Sequence, residues 1–295
     1  MLRAAFLLLA GLCVSTGCLQ ADEARPPVRV AVIQLDSSKA GDFALMLSYA
    51  KAARDRGAEI VVYPEEVVFG WLNPKVFYRA DPIPGRAQAA FASIAKEAGI
   101  WVAAGLAERG PQIASDPVTY EVFDSGILID SRGQTVLHYR QHNVIKNAFS
   151  ECPIKYGSQG CSYTQGPLSD VEVAETPFGR IGMLVCADAY THDTSTLDAL
   201  KSLKPELVII PWGVTAGSTE ECGETGFNAT GFAVQAATHL GSAYVVGANS
   251  VGERPFGRFL PSWYCGTSGY ATPDGKVGGF ADEKQEIAVF DIPLQ

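Results

Sequence analysis

Metal ligands are scarce in this chain. It holds four histidines in 295 residues. Neither His142 nor His192 has a partner at ligand spacing, so a metal centre lacks its usual donors and both rings read as local hydrogen-bonding groups. Positive charge is also short: 23 lysines and arginines stand against 32 aspartates and glutamates, for a net charge of −9. That balance speaks against nucleic acid and anionic membrane surfaces as partners. The apolar run from Ala4 to Val14 is too short to span a bilayer comfortably. What remains is an ordinary globular composition, 47% hydrophobic and 19% charged, which argues against disorder. No composition break interrupts residues 28–295, so one domain is the simplest organisation.

The first residues stand apart from that domain. A short basic start, Met1-Leu2-Arg3, precedes the apolar run, and small residues follow it, which is the plan of a secretory signal peptide. The expected division is a signal peptide at 1–21, a polar linker at 22–27 and a domain at 28–295, in a periplasmic or secreted protein. Gly17-Cys18 also resembles the end of a bacterial lipoprotein signal, although Ser15 replaces the usual aliphatic residue. A membrane anchor follows only if Cys18 is lipidated. Export changes the meaning of the cysteines, because oxidising compartments favour disulfides. Cys152 and Cys161 bracket a turn-rich loop and are one candidate pair. Cys222 and Cys265, both in irregular stretches, are the other. Cys186 is then the odd thiol.

Apolar periodicity gives the order of elements. Strand character at 28–35, a helical stripe at 42–56 and a strand at 58–63 make one βαβ unit. A helix at 85–99, a strand at 100–106 and a hairpin from 119–130 and 135–139 follow. Residues 143–167 form a long irregular segment. Strands at 171–176 and 180–185, a helix at 194–203 and a strand at 207–212 repeat the alternation. A polar loop at 213–226, a helix at 227–240 and strands at 243–249, 269–277 and 286–290 complete it. The class is α/β, with mixed sheets covered by helices.

Ligand sites in open α/β folds gather beyond the carboxyl ends of strands. Three such ends carry reactive groups: Glu65 after the second strand, the stretch from Gln141 to Lys146, and Cys186. A carboxylate can take a thiol proton, and a cation or amide can stabilise an oxyanion. Free cysteine also packs as a small hydrophobe, and a glutamate after a strand is often a plain surface carboxylate. Those readings stay beside the catalytic ones.

Pro64-Glu65 with Gly70-Trp71, and Gly182-Met183-Leu184-Val185-Cys186-Ala187-Asp188, resemble two signatures of the nitrilase, or carbon–nitrogen hydrolase, superfamily. Tyr139-Arg140-Gln141-His142-Asn143, Asn249-Ser250-Val251-Gly252 and Gly266-Thr267-Ser268 resemble its other elements. The resemblance covers nearly all of residues 28–295. It implies a four-layer αββα sandwich and a hydrolase of non-peptide amide bonds acting through a cysteine thioester. Glu65 would be the general base and Cys186 the nucleophile. The substrate would be a small-molecule amide, with no metal or organic cofactor, and copies would associate as a homo-oligomer through helices near the nucleophile. Ala187, where true nitrilases usually carry tryptophan, points to amides over nitriles. The run Cys186 to Asp193 is similar to the vanin and biotinidase branch. The chain departs from the family at Gln141, which occupies the usual lysine position. Three readings follow: Lys146 reaches the site from the loop as the catalytic lysine, Gln141 serves the oxyanion as a neutral donor, or the chain binds ligand without turnover. Glu151 lies where many members place a second glutamate.

Overall fold

The computed structural model describes residues 25–113, 120–153, 160–222, 228–281 and 286–294. The expected signal peptide with Cys18, and the linker up to residue 24, lie outside them. The first half of the chain runs β1 (Val28–Ile33), α1 (Phe43–Asp55), β2 (Ile60–Val62), α2 (Val76–Arg79), α3 (Arg86–Ala98), β3 (Trp101–Gln112), β4 (Tyr120–Ile129) and β5 (Thr135–Arg140). The second half runs β6 (Val173–Thr176), β7 (Gly179–Met183), α4 (Ser195–Ser202), β8 (Leu207–Trp212), β9 (Thr215–Ala216), α5 (Ala229–Leu240) and β10 (Tyr244–Asn249). It closes with β11 (Val251–Glu253), β12 (Trp263–Cys265), β13 (Gly269–Ala271), β14 (Val277–Phe280) and β15 (Ile287–Ile292).

Strand alternation decides the layers. Val30, Val32, Ile60 and Val62 enter one core, while Ala31, Ile33, Val61 and Tyr63 enter another. Strands apolar on both faces must be covered on both. One six-stranded sheet has the order β15-β1-β2-β3-β4-β5, and the other β14-β13-β10-β8-β7-β6. Helices α1 and α3 cover the outer face of the first sheet through Met46, Ala50, Phe91 and Ile94. Helices α4 and α5 cover the second through Leu197, Leu200, Ala233 and Ala237. Between the sheets lie Leu128 and Leu137 of the first with Ile181, Met183 and Ile209 of the second. This is the four-layer αββα sandwich, with no closed barrel. Asp42 and Asn228 accept backbone N–H groups at the starts of α1 and α5, satisfying donors that a helix leaves open.

Periodicity located the long elements and missed the short ones. Helix α2 is one turn long, and β9, β11 and β12 form a small sheet of two- and three-residue strands inside stretches that read as loops. Elements that short carry less than one period of any pattern. Strand β3 runs on to Gln112, beyond the expected end at Leu106, because β4 pairs with it along most of its length.

Parallel pairing aligns the strand ends that matter. β2 lies parallel to β1 and β3 in the first sheet. β8 lies parallel to β7 and β10 in the second. The carboxyl ends of β2, β7 and β8 meet, and the backbone N–H of Glu65 donates to the carbonyl of Trp212 at 3.1 Å across the two sheets.

Candidate active site

Cys186 follows β7 and opens a 3-10 turn, Cys186–Ala189. Its φ is +39°, a backbone state that side-chain-bearing residues rarely adopt and that clusters at functional sites. It is buried and is the free cysteine among the described residues. Cys152 is joined to Cys161, and Cys222 to Cys265. Burial pushes the Cys186 thiol up to about 11, against the opposing pull of the Gly213 N–H and the Glu65 carboxyl. The resting sulfur is therefore a neutral thiol. The Tyr190 hydroxyl lies 4.0 Å from the sulfur, and the Tyr190 ring stacks on Phe232 at 4.1 Å.

Glu65 is 2% exposed. Burial first, then Cys186 and Asp124, raise its carboxyl well above the usual range. Both its oxygens are buried without a hydrogen-bond partner among the described residues, and Cys186 and Asp124 are its electrostatic neighbours. Two glycines let it lie so close. A Cβ on Gly213 would meet Glu65 Oε2 at 2.0 Å, and one on Gly105 would meet Glu65 Cα at 2.6 Å. These are close approaches that only glycine permits.

Sequence reading missed Asp124 and Glu66. Asp124 sits in β4, fully buried, on the face that points between the sheets with Gly126 and Leu128. Burial raises its carboxyl, and neighbouring Asp188 raises it further. The signal was an aspartate in the fully buried middle of a strand, where a charge has no water. Glu66, also buried, is raised by burial and by Asp124, with Tyr163 and the Ala107 N–H pulling the other way.

Strand β5 ends in register. Arg140 pairs with Ser125, and the Gln141 N–H donates to Asp124 O at 2.8 Å. The pleat turns Arg140 outward to Glu108 and Tyr139 inward to Asp188, where its hydroxyl donates at 2.8 Å. Gln141 is buried, and its Nε2 donates to Val185 O at 3.2 Å. Asp188 holds this corner by accepting the backbone N–H groups of His142 and Asn143. Burial lifts its carboxyl to about 6 against those bonds.

Two expected site residues are not brought in. Lys146 is exposed on the loop after β5, because the strand closes at Gln141 without the bulge or shift that would carry the lysine inward. Glu151 is likewise exposed, beside the Cys152–Cys161 bridge. Gln141, not Lys146, is the residue of this stretch buried beside the nucleophile turn. His142 binds Gly166 O at 2.8 Å, and among the described residues no cluster of three metal-binding side chains occurs.

A cleft of ≈ 220 Å³ lies beside this group, lined by Tyr190 and Gly213 near the nucleophile turn, by Trp71 and Phe232 as aromatic walls, and by Ile145 and Phe259. Arg254 also lines it. Its Nη2 donates to Phe259 O at 2.7 Å, its Nη1 donates to Phe256 O, and its guanidinium lies over the Trp71 ring.

A four-layer αββα sandwich with a strained, buried cysteine and a buried glutamate where its sheets meet defines an α/β fold of the nitrilase-superfamily type. The family model for carbon–nitrogen hydrolases matches residues 29–295, and the chain belongs to that family. It is 26% identical to deaminated glutathione amidase of Rattus norvegicus over 167 residues, covering 54% of this chain and 48% of the relative. It is 24% identical to human pantetheinase over 184 residues, covering 54% of this chain and 33% of the relative. The match thus spans about half of the first relative's length and a third of the second's. Among solved structures, an amidase from Nesterenkonia sp. superposes with a TM-score of 0.67 at 19% identity, covering 91% of each chain. A mutant of that amidase, carrying the acetamide moiety of fluoroacetamide on its active-site cysteine, superposes equally at 0.67 and 18% identity.

Proposed function

We propose that the chain is an exported hydrolase of non-peptide carbon–nitrogen bonds in small amides, acting through a thioester on Cys186 without metal or organic cofactor. The observation that carries the proposal is a buried, positive-φ Cys186 thiol and a buried, unpartnered Glu65 carboxyl at neighbouring strand ends, beside an aromatic-walled cleft. Because the thiol is neutral at rest, its proton must leave as sulfur attacks the amide carbon, and Glu65 is the group placed to take it. The same proton then passes to the departing amine. Water, activated by Glu65, hydrolyses the thioester. Gln141 has two amide hydrogens and spends one on Val185 O, which leaves one for an oxyanion. The two disulfides fit an oxidising compartment. Association of copies through α4 and α5, the helices that follow the nucleophile turn, is part of the same proposal.

Ammonia or amine release tests it. The panel holds short aliphatic amides, deaminated glutathione and pantetheine, with hydroxylamine added to trap an acyl group as a hydroxamate. Wild type is expected to release amine and form hydroxamate, and Cys186→Ala neither. Release by Cys186→Ala at the wild-type rate would overturn the thioester mechanism.

One observation favours a second reading, a ligand-binding protein without turnover: no lysine stands with Glu65 and Cys186 among the described residues. Its signature is amide binding by calorimetry, equal in wild type and Cys186→Ala, with no amine released by either.

A further inference from the structure

Asp124 has an unusual environment. Both its oxygens are buried, and among the described residues neither meets an amide, hydroxyl or cationic donor. The neighbouring carboxyl is that of Glu65, whose own oxygens are buried and lack donors in the same way. Two neighbouring carboxyls buried without donors are not both ionised at little cost, and one proton between them relieves the repulsion. The surroundings offer no other relief. Asp188 adds negative potential from the nucleophile turn, and Glu66, at the end of β2, is itself raised by burial and by Asp124. Cys186, Tyr163 and Tyr190 are neutral, each raised by burial. Tyr264 on β12 is raised too, and Arg254 acts on Tyr264 while its donors bind loop carbonyls. Gln141, at the position of the family's lysine, is uncharged.

We propose that Glu65 and Asp124 share a single proton in the resting protein, and that Asp124 is a positioning residue which makes Glu65 a working base in a site without a buried lysine. This rests on the amidase reading above. In the first step the sulfur–carbon bond forms and the carbonyl π pair moves to oxygen. The thiol proton passes to Glu65, and the proton already shared passes fully to Asp124. In the second step Glu65 gives its proton to the leaving nitrogen as the carbon–nitrogen bond breaks, and the pair returns to one shared proton. The pair carries one negative charge before attack and none while the oxyanion exists, so total charge is conserved. The competent form is the singly protonated pair. Acid fills the second site and removes the base. Alkali removes the shared proton and sets two carboxylates against the forming thiolate.

Infrared difference spectroscopy of resting wild type, titrated from acid to alkali, reads the pair without substrate. A protonated carboxyl band persisting above roughly pH 6, where ordinary carboxyls are ionised, is expected. Its intensity should fall by one carboxyl in both Asp124→Asn and Glu65→Gln, while the contribution of buried Glu66, itself raised by burial, stays and is assigned by its loss in Glu66→Gln. Kinetics supply the second readout. Wild type is expected to give a bell-shaped kcat profile falling about tenfold per pH unit on the alkaline side. Asp124→Asn, of the same shape, should keep the acid limb, lose the alkaline limb and drop kcat about tenfold or more. Absence of the band from wild type overturns the pair, whatever the activity. A band left undiminished by both substitutions, or an Asp124→Asn profile superimposable on wild type, does the same. Amide hydrolysis with no such band removes the shared proton but leaves the amidase reading standing. The band in a protein that releases no amine does the reverse. If Asp124→Asn fails to fold, wild type against Glu65→Gln decides.

Discussion

The side-chain amide of Gln141 donates to Val185 O at 3.2 Å, one residue before the Cys186 thiol. A neutral donor thus stands beside a cluster of buried acids, and the charge problem it leaves is met by a proton. Gln141→Lys reverses that arrangement. The ammonium can keep the bond to Val185 O while holding neighbouring carboxyls ionised, since an opposite charge within a few ångströms favours the charged form. The acid limb of kcat/KM is expected to move down by about one pH unit or more, and the alkaline limb to fade. A profile unchanged from wild type would mean that position 141 does not communicate with Glu65.

Lys146 separates two readings of the missing cation. The residue is exposed, and a surface substitution of this kind costs stability at most about 0.5 kcal/mol. Lys146→Ala is expected to keep kcat/KM within about twofold, whereas loss of a transition-state donor costs on the order of a hundredfold or more. Steady-state rates on one amide are enough to tell these apart.

Buried acids make stability depend on pH in two opposed windows. The folded Asp188 carboxyl lies at about 6 because burial outweighs its hydrogen bonds, above its unfolded value near roughly 4. Its contribution is full below the unfolded value and is lost as pH rises through about 6. Asp124, also raised by burial, acts in the same direction. Glu108 acts in the other. Burial alone would raise it, but the bonds from His138, Arg140 and Ser125 hold it at about 2, so its contribution is present above the ordinary value and lost as pH falls through about 2. The melting temperature of Asp124→Asn, relative to wild type, should therefore improve as pH rises from about 4 to 8. A constant difference across that range would place the Asp124 ionisation at its unfolded value.

The layers of this fold were legible because each long strand alternates its apolar residues between two cores, as Val30 and Ala31 do. Glu65 and Cys186 were legible because each follows an apolar strand with a turn signal behind it. Asp124 was not, because its role depends on which way the β4 pleat points and on a partner about sixty residues away in sequence. The placement of Lys146 also escaped the sequence. Whether β5 ends at Arg140 or bulges to admit a later residue depends on its pairing with β4, which one strand's composition does not carry.

The Cys222–Cys265 bridge closes a separation of 43 residues and ties the segment after β9 to β12. In the chain-entropy account a loop of that size is worth about 4 kcal/mol. Cys222→Ser with Cys265→Ser is expected to lower denaturant stability by about 2–4 kcal/mol. Its effect on catalysis should be visible chiefly in KM, because Tyr264 neighbours Cys265 and its hydroxyl accepts the N–H of Trp71, a wall of the cleft. A fall in kcat with KM unchanged would place the effect at the thiol.

Gly213 offers the sharpest test of close packing in the site. It follows β8 directly, its N–H pulls the Cys186 thiol down against burial, and a Cβ there would stand 2.0 Å from Glu65 Oε2. The clash falls on the far end of a side chain, so Glu65 can swing aside at a moderate cost, about 1–3 kcal/mol for overpacking. The swing is what matters for function. Moving the carboxyl by about an ångström takes it out of line with the thiol, and misplacements of that size cost on the order of a hundredfold in rate. Gly213→Ala is thus expected to lose kcat far more than it loses stability. The measurement is kcat beside a urea melt. A large stability loss with kcat preserved in the folded fraction would show that Glu65 does not need its observed position.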